Sequence, residues 1–188
     1  GMLVPEATFV DKLLMRVKRK KSVLCVGIDP RFERIPEPLK KEAVQQYGKT
    51  WEAMVWLYET FARMIMEAVE AHAVAVKPNL AFFLTAGHYG VDAYERLIAY
   101  ARTLDLLVIG DVKDGESFRD AAGAYAAAHL GYVPFWPDDD GRPRQVPSLL
   151  RVDAMTAAVE MGDPWFAVLH ETIIATGAGV FFLLHPSA

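Results

Sequence analysis

Three charged residues end apolar runs. Lys77 follows Ala73-Val74-Ala75-Val76, and Asp111 and Lys113 follow Leu106-Leu107-Val108-Ile109-Gly110. Charge at the end of a buried strand is costly unless it is paired or used. Side chains two apart on a strand share a face, so Asp111 and Lys113 are expected to point together, with Val112 turned away. Lys77, on an adjacent strand, is expected to reach both. An ammonium held among carboxylates can pass a proton to a developing carbanion. A carboxylate set beside a substrate carboxylate raises the ground state, and that strain eases as CO2 leaves. On residue types alone, a structural ion-pair network fits the cluster equally well.

The elements that must position these residues alternate along the chain. Val23 to Ile28 reads as strand one, ended by Asp29-Pro30, because proline cannot donate to a ladder. Residues 31–49 hold Pro36 and Pro38 and read as a loop with a short helix. Trp51 to His72 reads as a long helix, with Val55, Tyr58, Ala62, Ile65, Met66 and Val69 on one stripe. Ala73 to Lys77 is strand two, Val91 to Thr103 a helix, and Leu106 to Ile109 strand three. Phe118 to Leu130 is an alanine-rich helix, followed by a Pro/Asp/Gly-rich stretch over 132–148 that reads as an exposed loop. Strand four holds Ala154 to Thr156. Pro164 to Thr176 is a helix between Asp163 and Gly177, and Gly179 to Leu184 is strand five.

Continuous apolar strands alternating with helices imply a parallel sheet buried on both faces. Both a doubly wound sheet and a (β/α)8 barrel satisfy that pattern. In either, the ligand site lies at the C-terminal strand ends, where Asp29, Lys77, Asn79, Asp111, Lys113 and Ser187 fall.

The bulk properties narrow the function. The chain has 188 residues, 53% hydrophobic and 23% charged, which suits one domain over 1–188. Its net charge of −4 gives no long-range attraction for nucleic acid or an anionic membrane. No apolar stretch is long enough to span a bilayer. The basic run Lys18 to Lys21 reads as a solvated helix end. Cys25, the single cysteine, reads as a small core residue, and one cysteine fits a reducing, cytoplasmic compartment. No Gly-x-Gly-x-x-Gly turn supports a dinucleotide, and no His/Cys spacing supports zinc. His72, His88, His129, His170 and His185 are scattered and read as surface or helix-end residues. Asp138-Asp139-Asp140-Gly141 lacks the remaining spacing of a calcium loop and reads as a solvated turn.

Several stretches resemble one family. Val26-Gly27-Ile28-Asp29-Pro30 resembles the first strand of orotidine 5′-phosphate decarboxylases of the bacterial Gly-x-Asp-Pro subgroup. Val76-Lys77-Pro78-Asn79-Leu80-Ala81-Phe82-Phe83 resembles their second strand, and Asp111-Val112-Lys113-Asp114-Gly115-Glu116 falls on their Asp-x-Lys-x-x-Asp. Val152-Asp153-Ala154-Met155-Thr156 and Gly179 to Leu184 match strands four and five. The resemblance implies a (β/α)8 barrel, usually dimeric, that converts orotidine 5′-phosphate to UMP and CO2 without cofactor or metal. By position, Lys113 would donate the proton, Asp111 would press on the departing carboxylate, and Lys77 would complete the charge network. Asp29 and Asn79 would hold the ribose, Ser187 would meet the pyrimidine, and Thr156 would also contact substrate. Glu116 would take the place of an aspartate that crosses into the neighbouring subunit's site.

The sequence also departs from the family pattern. Glu116 is one methylene longer than aspartate, Asp114 replaces a basic residue, Asp120 replaces threonine, and Ala157-Ala158-Val159 replaces an Asn/Ser-Pro-Tyr segment. About five βα units are expected here, without the three that carry the phosphate turn and an arginine in the family. Two further readings follow: an inactive or structural remnant of the family, and a Mg²⁺-dependent sugar-phosphate relative with Glu116 as a ligand.

Overall fold

The computed structural model describes residues 7–114, 119–159 and 164–184. They form two compact units, one built on residues 13–112 and the other on residues up to 12 and from 113 onward. The chain opens with helix α1 (Phe9–Lys20) and continues through β1 (Leu24–Ile28), α2 (Glu37–Tyr47), α3 (Trp51–Val69) and β2 (Ala73–Pro78). Then come α4 (Leu80–Leu84), α5 (Gly87–Thr103) and β3 (Leu107–Asp114).

In the first unit β1 pairs with β2 and β2 with β3, all parallel, with Ile28 opposite Pro78 and Val76 opposite Val108. Helix α3 begins where Thr50 accepts the Ala53 amide at 3.2 Å, and it packs on α5 through its apolar stripe. The predicted stripe of α3 holds at Val55, Tyr58, Ala62 and Met66, all buried. Strand β2 is a continuous apolar run because both of its sides are occupied. Ala73, Ala75 and Val76 are fully buried.

Strand β1 departs from the sequence reading. Among the described residues it has one strand neighbour, β2. Leu24 is therefore 46% exposed, and Cys25 is exposed rather than a core residue. Residues 31–49 hold more order than expected, with a 3-10 turn at Phe32–Arg34 before α2. Pro36 sits at the cap of α2 and Pro38 in its first turn, where a missing N–H costs nothing.

The basic run at the end of α1 is more than a solvated helix end. Lys20 Nζ donates to the carbonyls of Glu70 and Ala73 at 2.9 Å and of Asp105 at 3.1 Å. Arg16 and Arg19 both pair with the Asp105 carboxylate. Burial lowers the Lys20 pKa while Asp105 opposes the shift. One ammonium thus satisfies carbonyls at the end of α3, the start of β2 and the turn before β3.

The second unit contains α6 (Arg119–Leu130), β4 (Tyr132–Phe135), β5 (Arg144–Pro147), β6 (Ala154–Val159), α7 (Pro164–Thr176) and β7 (Gly179–Leu184). Strands β6 and β7 run parallel, from Ala154 opposite Gly179 to Val159 opposite Leu184. Helices α6 and α7 pack together, with Ala122, Ala126 and Trp165 buried. The small side chains of α6 permit that approach. Phe9 fastens β7: its ring meets Phe181 edge-on at 6.0 Å, and its amide donates to Gly177 at 2.8 Å.

The 132–148 segment is an antiparallel hairpin, not an irregular loop, with Tyr132 opposite Pro147 and Phe135 opposite Arg144. Its strands are four residues each and both contain proline, which hid them from pattern reading. The Asp138 turn is local, as expected: its carboxylate accepts the Asp140 and Arg142 amides, both at 2.9 Å. His129 is a helix-end residue, as expected, in the last turn of α6, but it is buried rather than at the surface, and its carbonyl accepts the Val152 amide at 2.9 Å.

Close packing at the α4–α5 corner gives a direct test. The Phe83 ring lies between Tyr58 and Tyr94, with centroids 6.2 and 5.5 Å away. A Cβ at Gly90 would stand 1.7 Å from the Phe83 carbonyl oxygen. Gly90→Ala is expected to cost about 3 kcal/mol, the upper end of overpacking penalties, measured by urea unfolding.

Candidate active site

The first unit gathers Asp29, Lys77, Asn79 and Asp111 at the C-terminal ends of its parallel strands. Asn79 organises this end. Its amide donates to the Ile28 carbonyl at 3.0 Å, and the residue forms a parallel bridge with Asp111. Its side-chain oxygen accepts the Ala81 amide at 3.2 Å and so caps α4. This leaves the Asn79 amide nitrogen as the group to offer a ligand.

Asp111 is 6% exposed, a charged residue held in the protein interior. Lys77 lies opposite Gly27 in the ladder and is exposed. No ion pair or hydrogen bond joins the Lys77 ammonium to Asp111, so the expected contact between these two is not made in this structure. The Lys77 charge acts instead on its neighbour in β1. It lowers the Cys25 pKa against the dominant effect of burial, which raises it. Asp29 is exposed, and its carbonyl accepts the Arg31 amide at 2.8 Å. Arg31 in turn sits over the Phe82 ring, 4.7 Å from its centroid.

Lys113 and Thr156 belong to the second unit. The Lys113 amide donates to the Thr156 hydroxyl oxygen at 3.1 Å, and Thr156 is 8% exposed. Lys113 has φ 51, in the left-handed region. The expectation that Asp111 and Lys113 share a face assumed an extended backbone through 113, which this value does not provide. Glu116 and Ser187 lie outside the described residues.

Nothing in the sequence sets Tyr94 apart from the other apolar residues of α5. It is fully buried, and its hydroxyl has no hydrogen-bond partner among the described residues. Burial and the negative charge of Asp111 together push its pKa well above the tyrosine range. Only the fold reveals that proximity. Among the described residues, no three His, Cys, Asp or Glu side chains group as a metal site, and no helix is long and apolar enough to cross a membrane.

Parallel strands alternating with helices, with charged residues gathered towards the C-terminal ends of those in the first unit, define an α/β chain of the (β/α)8-barrel type. The described strands make up part of such a barrel. Comparison with known proteins makes the likeness specific. Orotidine 5′-phosphate decarboxylase of Rhodopirellula baltica is 32% identical over 180 residues, 96% of this chain and 55% of that protein. The enzyme of the same name from Salinispora tropica is 34% identical over 170 residues, covering 90% and 52%. A Streptomyces avermitilis crystal structure of a candidate orotidine 5′-phosphate decarboxylase superposes with TM-score 0.69 at 28% identity, covering 97% of this chain and 55% of that one. Leishmania donovani OMP decarboxylase gives 0.58 at 28% identity, covering 96% and 55%. No family model matches. Homologues named orotidine 5′-phosphate decarboxylase, at about 30% identity over most of the chain, support that family. The chain spans about half the length of the curated relatives it matches.

Tyr94 supplies the prediction here. A tyrosine is neutral when protonated, so a raised folded pKa favours the protonated fold. Its stabilising contribution is complete below about pH 10, the unfolded value, and is lost as pH rises above it. Tyr94→Phe also removes a buried hydroxyl that has no partner among the described residues, which relieves the cost of an unsatisfied polar group, about 1–3 kcal/mol. The variant is expected to be more stable than the parent at pH 7, by about 1 kcal/mol or more. Above pH 10 it should gain on the parent by up to about 1.4 kcal/mol per pH unit, followed by urea unfolding at both pH values.

Proposed function

We propose that this chain belongs to the orotidine 5′-phosphate decarboxylase family, and that its strand-end site serves conversion of orotidine 5′-phosphate to UMP and CO2 in pyrimidine biosynthesis. The observation that carries this reading is the buried Asp111, bridged to Asn79 at the strand ends and followed by Lys113. The bond from C6 of the pyrimidine to its carboxylate breaks, the electron pair stays on C6, and CO2 leaves. A proton from the Lys113 ammonium then completes UMP, so no outside oxidant or reductant is needed.

Asp111 acts on the ground state. A carboxylate kept charged against the substrate carboxylate is repelled until CO2 departs. Lys77 offsets the local negative charge, and Asp29 with the Asn79 amide nitrogen holds the ribose. Thr156 sets the backbone at Lys113 through the hydrogen bond already described. Ser187 would meet the pyrimidine, and Glu116 would serve the site of a second copy in a homodimer. The Gly27-Ile28-Asp29-Pro30 run supports assignment to the Gly-x-Asp-Pro subgroup, with the reaction run in the cytoplasm without cofactor as part of the same proposal.

The test is the fall in orotidine 5′-phosphate absorbance on adding folded protein. Turnover is expected, and Lys113→Ala should reduce it by about 10³-fold or more, as loss of a general acid does together with its charge. A folded, dimeric protein without turnover would leave common ancestry as the only remaining link to the enzymes.

A further inference from the structure

A cavity of about 510 Å³ opens in the first unit, in the segment that joins β1 to β2 and outside the groups assigned to decarboxylation. Its walls are apolar: Phe32, Ala43, Val44, Trp51, Met54 and Leu57. Phe32, Val44 and Trp51 are 46%, 42% and 55% exposed, so hydrocarbon surface faces water there. Its volume falls in the range of small-molecule sites.

The charges of this cavity are one-sided. Both ionisable side chains that line it, Lys40 and Lys49, are cationic, although the chain as a whole carries −4. The Lys40 side chain is only 13% exposed. Its ammonium is held 4.5 Å from the centre of the Phe32 ring and 3.2 Å from the Glu37 carboxylate. Glu37 is 73% exposed and does not line the cavity. Lys49 makes no ion pair or hydrogen bond among the described residues. It stands in the turn ahead of α3, a helix of 19 residues whose N-terminal end adds partial positive charge. Apolar walls with two ammonium groups, one of them fixed by packing, complement a hydrocarbon body that ends in one negative group.

We propose that this cavity binds a small amphipathic carboxylate, with its hydrocarbon or aromatic body against Trp51, Met54 and Leu57 and its carboxylate between Lys40 and Lys49. The site is separate from Asp111 and Lys113, so the proposal does not depend on the decarboxylase reading.

Decanoate is the probe, with decanol as its uncharged counterpart. Calorimetric titration into the whole chain should show saturable binding of one decanoate, and two-dimensional NMR should show a shift of the Trp51 indole N–H. Decanol should bind at least about tenfold more weakly, the equivalent of about 1.4 kcal/mol. Lys49→Glu, an exposed change that spares the fold, should weaken decanoate by a similar factor and leave decanol unchanged. Lys40→Gln is the second variant, expected to act in the same direction. Equal affinity for the acid and the alcohol would overturn the proposal, as would indifference to Lys49→Glu. So would a Trp51 signal unmoved by decanoate. Binding that falls as protein concentration rises would assign the cavity to a second copy of the chain instead, and would also overturn it.

Discussion

The site in the first unit depends on one corner, where β2 ends and α4 begins. Asn79 makes three connections there: backbone to β1 through Ile28, a bridge to Asp111 on β3, and a side-chain cap on α4. Each satisfies a backbone group that would otherwise be left open at a strand end or helix start. Together they bring three strand ends into register. Asp29, Asn79 and Asp111 are neighbours because this one residue terminates β2 while holding both adjacent strands. Pro78 enforces the stop, since it has no N–H to extend the ladder.

Burial then decides the electrostatics. Asp111 lies in β3 after Val108 and Ile109, 1% and 7% exposed, and Tyr94 is buried close enough to respond to its charge. A carboxylate in that position is costly to keep unless the site uses its charge. Lys77, on the neighbouring strand, is exposed and keeps its own solvation. The two residues therefore have different environments although the sequence presents them alike, each at the end of an apolar run.

That difference marks where sequence reading succeeds and where it stops. Strand and helix order was legible because apolar periodicity is strong in α3, α5 and β2, each of which has a buried partner on the expected side. The strand-end cluster was legible for the same reason: a charge after an uninterrupted apolar run is conspicuous. Four features were not legible. The β4–β5 hairpin is too short and too rich in proline to alternate. Exposure of Cys25 depends on how many neighbours β1 has, which its own residues do not encode. The Lys20 clamp needs carbonyls 50 to 85 positions away. The facing of Asp111 and Lys113 was argued from ideal alternation, and the backbone at Lys113 is not ideal.

That last departure has a physical meaning when the three non-glycine residues with left-handed φ among the described residues are compared. Lys21 and Asp105 have φ 52 and 55, and Lys113 has φ 51. Lys21 follows α1 directly and Asp105 follows α5 after Leu104, and both turn the chain from helix into strand, where a left-handed residue is the usual device. Lys113 turns nothing of that kind. It lies within β3, next to a buried carboxylate, and its amide is held by a buried threonine hydroxyl. A left-handed lysine costs of order 1–2 kcal/mol and persists only where its surroundings fix it. The Thr156 hydrogen bond is one such fixture, and it acts on the backbone. Extended geometry would set the Lys113 side chain by alternation alone. The observed backbone sets it by a specific contact from β6, which ties the aim of the proposed proton donor to the strand that follows it in the fold.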